Sequence, residues 1–342
     1  MSTIEVRDLG ELQPDSALGT RWDSLVVSSG SGFMQSLGWA RFKRYSGFEV
    51  RHIGLFLDGE LCGGSLFYTS ANNKGAGFLV APDGPILPWQ EQKLATECMQ
   101  LLVAELKKQS TELSTMALRV APRLTELPDA LKGFSPAPLN ITEKKTMYLS
   151  LQPSEDELLQ AMRPKARYNI GLAGRRGVTV SESSSVDSVL KFCSVMEQVA
   201  ERNDYYVEPL EFFVALFETL CSTGMVRVFF AEHEGEVLGA ILMITFGSRA
   251  TYFAGGTTNV KRNLMAGYAL QWAAIKAARD AGCSEYDFWG FDPAVAPDDT
   301  YAGFSRFKSQ FAGEPIELIG SFDYYFIDQL ADVVIKALRE IS

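Results

Sequence analysis

The sequence has few of the residues on which nucleophilic and metal-dependent catalysis usually depend. Only two of its 342 residues are histidines, His52 and His233, and both lie in strand-like runs. The five cysteines are scattered, without the paired spacing of a zinc site or a disulfide framework. We therefore expect no metal and no histidine-based triad, and the cysteine usage suits a reducing cytosol.

Long apolar runs and an excess of positive charge are also missing. No run approaches the roughly 20 apolar residues that a membrane-spanning helix needs, and the first residues show no basic-then-apolar signal peptide. The formal net charge is −10, so a nucleic acid or an anionic lipid would have to meet a local basic patch. These features predict a globular cytoplasmic protein.

What the sequence does contain is an internal repeat. Residues 50–68 and 227–244 each read as two strands joined by an acidic residue and glycine, a strong hairpin signal. The two turn glycines, Gly59 and Gly235, are 176 residues apart. A long amphipathic helix and then a strand follow each hairpin. The pattern predicts two copies of one α/β domain.

The order helix, hairpin, strand, helix, strand is that of a GNAT-type N-acyltransferase. We predict an α/β fold with mixed sheets, in two tandem GNAT-like domains at residues 1–145 and 146–342. Ser154 and Glu157 form a capping-box pattern just after this boundary. In GNAT proteins the loop before the long helix often carries Gln or Arg and wraps pyrophosphate. Leu264 stands at that position here, which argues against binding of acyl-CoA.

The stretch 284–311 is the strongest candidate for a functional site. It begins with alternating aromatic residues that predict a strand over 286–291. A polar loop follows, and then phenylalanines at helical spacing, of which Phe307 directly precedes Lys308. Either these rings only anchor a short helix beside a solvated lysine, or they form a ligand site at a strand end.

The most basic segment lies at residues 162–180. Its cations fall within a few helical turns, at Arg163, Lys165, Arg167, Arg175 and Arg176. On charge alone, this cluster is explained by the solvent-exposed face of a helix. In an acidic protein the cluster is also a candidate docking point for phosphate.

Taken together, several motifs resemble the FemABX family of non-ribosomal peptidoglycan aminoacyltransferases. In the second half these are Lys165-x-Arg167-x-Asn169-Ile170, Tyr252-Phe253-Ala254-Gly255-Gly256, Tyr268-x-Leu270-Gln271-Trp272, Tyr286-Asp287-Phe288-Trp289-Gly290 and Phe304-x-x-Phe307-Lys308. In the first half they are Gln35-Ser36-x-x-Trp39-x-x-Phe42-Lys43 and Pro82-Asp83-Gly84-Pro85. The resemblance covers nearly the whole chain. No long charged heptad insert occurs, so the chain resembles the compact members without a coiled-coil arm.

The resemblance implies an enzyme that moves an amino acid from aminoacyl-tRNA to an amine on the stem peptide of a peptidoglycan precursor, building the interpeptide bridge. The acceptor would be UDP-linked or lipid-linked, and a lipid-linked one would bring peripheral contact with the inner membrane face. The chemistry needs positioning and a cation or donor for the oxyanion, and it needs no cofactor.

The resemblance also implies site residues. Lys308 would stabilise the oxyanion or the terminal tRNA phosphate, with Phe307 shaping its pocket, and these two are the expected catalytic residues. Lys43 would contact the acceptor diphosphate, and Tyr268 would line the acceptor groove. Arg167 would contact tRNA or form structural ion pairs. The other expected substrate-binding residues, taken from the same motifs, are Ser36, Trp39, Gly84, Asn169, Gln271 and Trp289.

Two alternatives stand beside this interpretation. One is an acyl-CoA-dependent N-acyltransferase with one degenerate domain. The other is a non-catalytic binding protein that has kept the tandem fold.

Overall fold

A computed structural model of the chain describes residues 3–71, 77–203, 207–296 and 302–326, which fall into two compact units. Unit 1 comprises the chain up to Lys144 together with the segment that begins at Glu317, and unit 2 comprises Lys145–Ile316. Both units are mixed α/β structures, each built on one seven-stranded sheet.

The helices and strands alternate along the chain as the sequence predicts. Those that precede residue 145 are β1 Ile4–Asp8, α1 Ala17–Ser28, α2 Leu37–Tyr45, β2 Val50–Leu57, β3 Glu60–Ala71, β4 Gly77–Asp83, α3 Gln92–Gln109, β5 Thr115–Pro122 and β6 Ser135–Pro136. Those that follow are β7 Lys145–Ser150, α4 Glu155–Ala161, α5 Pro164–Arg175, β8 Thr179–Ser183, α6 Val189–Asn203, α7 Leu210–Leu220, β9 Val226–His233, β10 Glu236–Phe246, β11 Arg249–Thr257, α8 Ala266–Asp280, β12 Glu285–Asp287, α9 Ala302–Lys308, β13 Glu314–Glu317 and β14 Phe322–Tyr325.

The sheet of unit 1 has the strand order β1-β2-β3-β4-β5-β14-β6. Helix α3 covers it because its apolar residues recur at helical spacing, and Leu102 and Leu106 pack in one core with Leu79 and Leu118 of the strands. Strands β4 and β5 run parallel and pair along the whole of β4, from Gly77 to Asp83.

The sheet of unit 2 has the order β13-β7-β12-β11-β10-β9-β8. Helix α8 lies on it, and Leu270 and Ile275 share a core with Ile241. The equivalent parallel pair, β11 and β12, is registered over three residues, from Arg249 opposite Glu285 to Thr251 opposite Asp287.

The predicted repeat is present at the level of strand register. Leu55 pairs with Gly63 next to a bulge in the first hairpin, and Ala231 pairs with Gly239 next to a bulge in the second. Both glycines face close backbone, since an added Cβ would meet a carbonyl oxygen at 2.9 Å and 2.6 Å respectively. The prediction of two tandem GNAT-like folds is confirmed.

The division of the chain differs from the predicted one at its end. The prediction placed all of 146–342 in the second domain, whereas the segment from Glu317 returns to unit 1. Strand β14 pairs antiparallel with β5 there, and Arg119 donates to both carboxylate oxygens of Asp323 at 2.6 and 2.7 Å. Partners so distant in sequence leave no local signal.

Two local predictions in the stretch 284–311 can be compared with the structure. The strand predicted over 286–291 ends at Asp287, and Trp289 adopts a left-handed φ of 55° that is uncommon for a bulky residue. The predicted aromatic helix is α9, followed by a 3-10 turn at Ser309–Phe311.

Among the described residues, no helix is both long and apolar enough to cross a membrane.

Candidate active site

A cavity of about 460 Å³ opens in unit 2, and strands β11 and β12 separate close by. Beyond Asp287 the chain no longer pairs with β11 but stays bonded to β7, since the Phe288 amide donates to the Met147 carbonyl oxygen at 2.9 Å. The cavity walls come from β10, β11, the start of α8 and α9, through Ile241, Tyr252, Gly256, Thr257, Arg262, Gly267, Leu270, Gln271, Gly303, Phe304 and Phe307. The walls are mainly apolar with few polar groups, as in small-molecule sites.

Lys308 lies next to this cavity and is almost fully buried, with 7% of its surface exposed. Its Nζ donates to the carbonyl oxygens of Trp289 at 3.0 Å and Gly290 at 2.7 Å. The same atom lies 5.2 Å from the ring centre of Tyr252, a cavity wall residue. The lysine is therefore fixed by backbone oxygens, and the interpretation of Lys308 as a solvated surface cation is wrong.

The turn that holds Lys308 is organised by a buried carboxylate. Asp287 is fully buried and accepts a hydrogen bond from the Thr146 hydroxyl and another, at 2.8 Å, from the Trp289 amide. This contact holds Trp289 in its left-handed conformation and so directs its carbonyl at Lys308. Backbone held in such a rare conformation by its surroundings is typical of functional sites.

Aromatic rings form one wall beside the cavity. The ring of Tyr268 packs edge-on against Phe307 at 5.1 Å and lies 5.9 Å from Phe311. Phe307 and Phe304 reach the cavity directly. The structure thus brings Tyr268 next to the Phe307-Lys308 pair, and the roles expected of these residues stay predictions.

Gln271 contributes an unpaired polar group to the cavity wall. It is fully buried, its Nε2 donates to the Tyr286 hydroxyl at 2.7 Å, and its Oε1 has no hydrogen-bond partner among the described residues. Burial raises the pKa of Tyr286 well above its ordinary value, so the phenol keeps its proton. A half-turn of the amide would let Tyr286 donate to Oε1 and leave the NH₂ group unpaired instead. In either orientation one buried atom of the amide stays without a hydrogen bond inside the cavity wall, which costs stability.

The loop before α8 provides a cation that the sequence prediction did not include. Arg262 is exposed and lines the cavity, whereas Lys261 is engaged by Glu234 at 3.1 Å and Glu236 at 3.3 Å. Leu264, at the position where GNAT proteins often carry Gln or Arg, is buried in the core. Tyr252 was also missed as a site residue, although it belongs to one of the motifs that carry the family resemblance.

Two predicted residues on α5 have mainly structural contacts. Arg167 donates to the carbonyl oxygens of Gln160, at 2.9 Å, and Met162, and so caps the end of α4. Asn169 is buried on the inner face of the same helix. Neither is among the residues that line the cavity, so a part in substrate binding stays a prediction for both.

The predicted site residues of unit 1 surround the start of α2. Ser36 caps that helix, accepting from the Trp39 amide at 3.1 Å and donating to the Phe33 carbonyl at 2.7 Å. Lys43 is buried, and its Nζ lies 4.8–5.1 Å from the centres of four rings. These rings belong to Trp39, Phe42, Phe48 and Tyr68. Their role in binding an acceptor stays a prediction.

Gly84 follows strand β4 and lies against Gln35. A Cβ at Gly84 would come within 2.6 Å of the Gln35 amide, so the glycine is required by packing. Among the described residues, no group of three His, Cys, Asp or Glu side chains could hold a metal ion.

Comparison with known proteins places this site in a family. The sequence model of the FemAB family matches residues 26–128, 130–232 and 223–338. The Lipid II:glycine glycyltransferase of Staphylococcus aureus (strain COL) is 22% identical over 409 aligned positions, which cover 94% of this chain and 96% of that protein. The enzyme of the same name from Staphylococcus epidermidis (strain ATCC 12228 / FDA PCI 1200) is 21% identical, with 94% of each protein covered. These alignments are longer than the chain itself, so both relatives contain residues that this chain lacks.

Solved structures agree on the fold. The crystal structure of FemX superposes with a TM-score of 0.84 at 20% identity, covering 97% of this chain and 100% of that one. A tandem GNAT protein from the clavulanic acid biosynthesis pathway gives 0.59 at 11% identity, covering 95% and 99%. Since the family match extends over most of the sequence, the chain belongs to the FemAB family.

Proposed function

We propose that the chain is an aminoacyltransferase that moves an amino acid from aminoacyl-tRNA to an amine on the stem peptide of a lipid-linked peptidoglycan precursor. The observation that carries the proposal is the buried, backbone-held Lys308 beside an open cavity in a FemAB-family protein. The lipid-linked acceptor is supported by the names of the relatives, which act on lipid II. The tRNA donor is in the cytoplasm, and the lipid-linked precursor lies at the inner membrane face. We therefore place the protein in the cytoplasm.

The reaction requires no group beyond those that unit 2 offers. The acceptor amine attacks the ester carbonyl, a carbon–nitrogen bond forms, and the bond from carbon to the ribose oxygen breaks. The net proton passes from the amine to the released ribose hydroxyl. The fixed charge of Lys308 stabilises the negative oxygen of the intermediate, and its burial strengthens that interaction. Phe307 and Tyr252 hold the aminoacyl end in place.

Unit 1 is assigned to the acceptor in this proposal. Lys43 supplies the charge for the diphosphate, and the buried Trp39 ring packs against its ammonium group at 5.1 Å. Replacing Lys43 by Met keeps the packing between the rings and removes the charge. We expect that change to raise KM for the precursor by about tenfold and to leave KM for the donor unchanged.

The reaction itself is tested by a transfer assay. Purified protein would be incubated with radiolabelled aminoacyl-tRNAs and either lipid-linked or UDP-linked pentapeptide precursor, and the acceptor mass would be measured. We expect a gain of one aminoacyl residue that RNase abolishes. Lys308→Met should lower kcat by about 10²- to 10³-fold, whereas Lys93→Met, a change of an exposed lysine on α3, should not.

Two outcomes would refute parts of the proposal. Transfer from an acyl-CoA but from no aminoacyl-tRNA would identify an ordinary GNAT-type acyltransferase. Gain on the UDP-linked precursor alone would refute the lipid-linked acceptor and leave the donor intact.

A further inference from the structure

One face of α5 carries exposed cations and an exposed aromatic ring. Lys165, Tyr168 and Arg175 are spaced at i, i+3 and i+10, and Arg176 follows as the C-cap, so all four fall within about 100° around the helix axis. Tyr168 is 61% exposed, and the Arg175 guanidinium lies 5.9 Å from its ring centre. Arg167 is on the opposite face, where it caps α4.

This face leads to the cavity. The Arg176 side chain donates to the carbonyl oxygen of Asn263, which ties the end of α5 to the loop that carries Arg262. Arg262 itself lines the cavity. We call Lys165, Tyr168, Arg175, Arg176 and Arg262 the α5 track. Lys165 and Arg175 alone are about 15 Å apart along the helix, from the rise of 1.5 Å per residue.

The cations of the track are not neutralised within the part of the chain that the structure describes. No ion pair joins Lys165, Arg175 or Arg176 to a carboxylate there, in contrast to Lys261, which two glutamates engage. A protein of net charge −10 that keeps such a row of exposed cations beside its cavity offers a local docking site for a polyanion.

We propose that the α5 track binds the single-stranded 3′ end and adjoining backbone of an RNA, and guides that end into the cavity of unit 2. The cations contact phosphates, and Tyr168 with Arg175 provides a surface on which a base stacks. The inference rests on the proposed function in one respect, the identity of that RNA as the aminoacylated donor.

An anionic membrane is the competing partner for the same charges. A helix that lies in a membrane surface needs an apolar face free to insert. The apolar face of α5 is already used, because Ala166 and Ala173 are fully buried in the core of unit 2. The exposed aromatic ring between cations is typical of single-stranded nucleic acid binding, so the observations favour RNA.

The test measures binding of an unacylated RNA hairpin that copies an acceptor stem with a free 3′ end, at several salt concentrations. The variant Lys165→Glu/Arg175→Glu should bind at least about tenfold more weakly at 0.1 M salt, and its log–log salt slope should be flatter by 1 to 2. Tyr168→Ala should weaken binding by about tenfold with an unchanged slope. The control Lys93→Glu/Lys107→Glu makes the same charge change on exposed residues of α3 and should alter affinity by less than about twofold.

Equal losses in the track variant and the α3 control would overturn the proposal, as would no loss in either. Loss of binding to phosphatidylglycerol-containing vesicles, with RNA binding intact, would assign the surface to lipid instead. In the transfer assay the track variant should lose more kcat/KM with full aminoacyl-tRNA than with an aminoacylated dinucleotide. If the wild-type protein transfers from neither donor, the proposed function fails, and the RNA-binding measurement still decides whether the track binds RNA.

Discussion

The two units contain the same hairpin in the same register, yet each contains a buried glutamine with a different degree of hydrogen bonding. These residues are Gln35 in unit 1 and Gln271 in unit 2. In unit 1 both amide atoms of Gln35 are satisfied, since Nε2 donates to Pro82 and Leu66 oxygens at 2.8 and 3.2 Å and Oε1 accepts from the Leu66 amide at 2.8 Å. In unit 2 one amide atom of Gln271, a residue of the cavity wall, has no hydrogen-bond partner among the described residues. A fully paired polar network specifies structure, whereas a buried polar group without a partner costs stability and points to a function.

The parallel strands show the same contrast. In unit 1, β4 and β5 pair along the whole length of β4, and Gly64 and Ile86 exchange two further backbone bonds of 2.8 Å. In unit 2 the equivalent pair is registered over three residues beside the cavity. The two copies of the fold thus differ, one being closed and the other open, and we assign the donor chemistry to the open copy.

Filling the open copy should have the largest effect. Gly267 lies on the cavity wall in the first turn of α8, so Gly267→Leu would place a side chain in the space assigned to the aminoacyl end. We expect transfer to fall by about 10³-fold, about 4 kcal/mol in the barrier, measured as kcat/KM. Gly174→Leu, an exposed glycine of α5 with open space around it, serves as the control and should retain activity. Full activity of the Gly267 variant would show that the cavity is not the reaction site.

Removing the two glutamines should separate structure from function. Gln35→Met leaves several buried backbone groups unpaired, so we expect a loss of about 3 kcal/mol in the free energy of unfolding. Gln271→Met removes one hydrogen bond and should cost about 1 kcal/mol or less, while lowering kcat/KM. Urea unfolding and the transfer assay measure both. A stability loss for Gln271→Met as large as that for Gln35→Met would mean that both glutamines belong to fully paired polar networks.

The closed copy should also show a pH dependence from a buried histidine. Burial, and secondarily the charge of Arg44, lower the pKa of His52 to about 4 from an ordinary 6.5. The unfolded chain therefore binds a proton near pH 6.5 that the folded chain refuses until about pH 4, and stability falls as pH drops through this window. We expect a loss of about 2 kcal/mol between pH 7.5 and pH 5, measured by urea unfolding. His52→Phe should remove that component; an unchanged pH dependence would show that other groups cause it.

Two helix caps, one in each unit, give the smallest expected effect. Ser36→Ala and Ser154→Ala each remove a side-chain oxygen that accepts from a backbone amide at the start of a helix, so each should cost about 1 kcal/mol of stability. If Ser36 acts as a cap alone, its variant keeps the wild-type KM for the precursor. A raised KM would establish the acceptor contact that the family resemblance implies for Ser36.

Much of the fold could be predicted from the sequence because its signals are local. The hairpin turns, the capping box at Ser154 and the apolar spacing of α3 and α8 depend on neighbouring residues. The return of β14 to unit 1 could not be predicted in this way, since its partners in β5 lie some 200 residues earlier. The shortened β12 depends on Asp287 and Thr146, which are brought together by folding.

The candidate site was predicted in part. The Phe307-Lys308 pair, Tyr268 and Gln271 were found through motifs, but the burial of Lys308 and its carbonyl partners arise from the left-handed turn at Trp289. Arg262 was not predicted, because its loop carries Leu264 where GNAT proteins often have Gln or Arg. The sequence did not separate Arg167 from the cations on the exposed face of α5, because Arg167 is set apart by its bonds to the end of α4.

A crosslinking experiment can determine which unit receives the aminoacyl end of the donor. An acceptor-stem RNA charged with a photoreactive amino acid would be irradiated with the protein, and the modified peptides would be mapped by mass spectrometry. We expect adducts in unit 2, on Tyr252, Phe304 or Phe307, that uncharged RNA lacks. Adducts confined to β3 and β4 of unit 1 would contradict it.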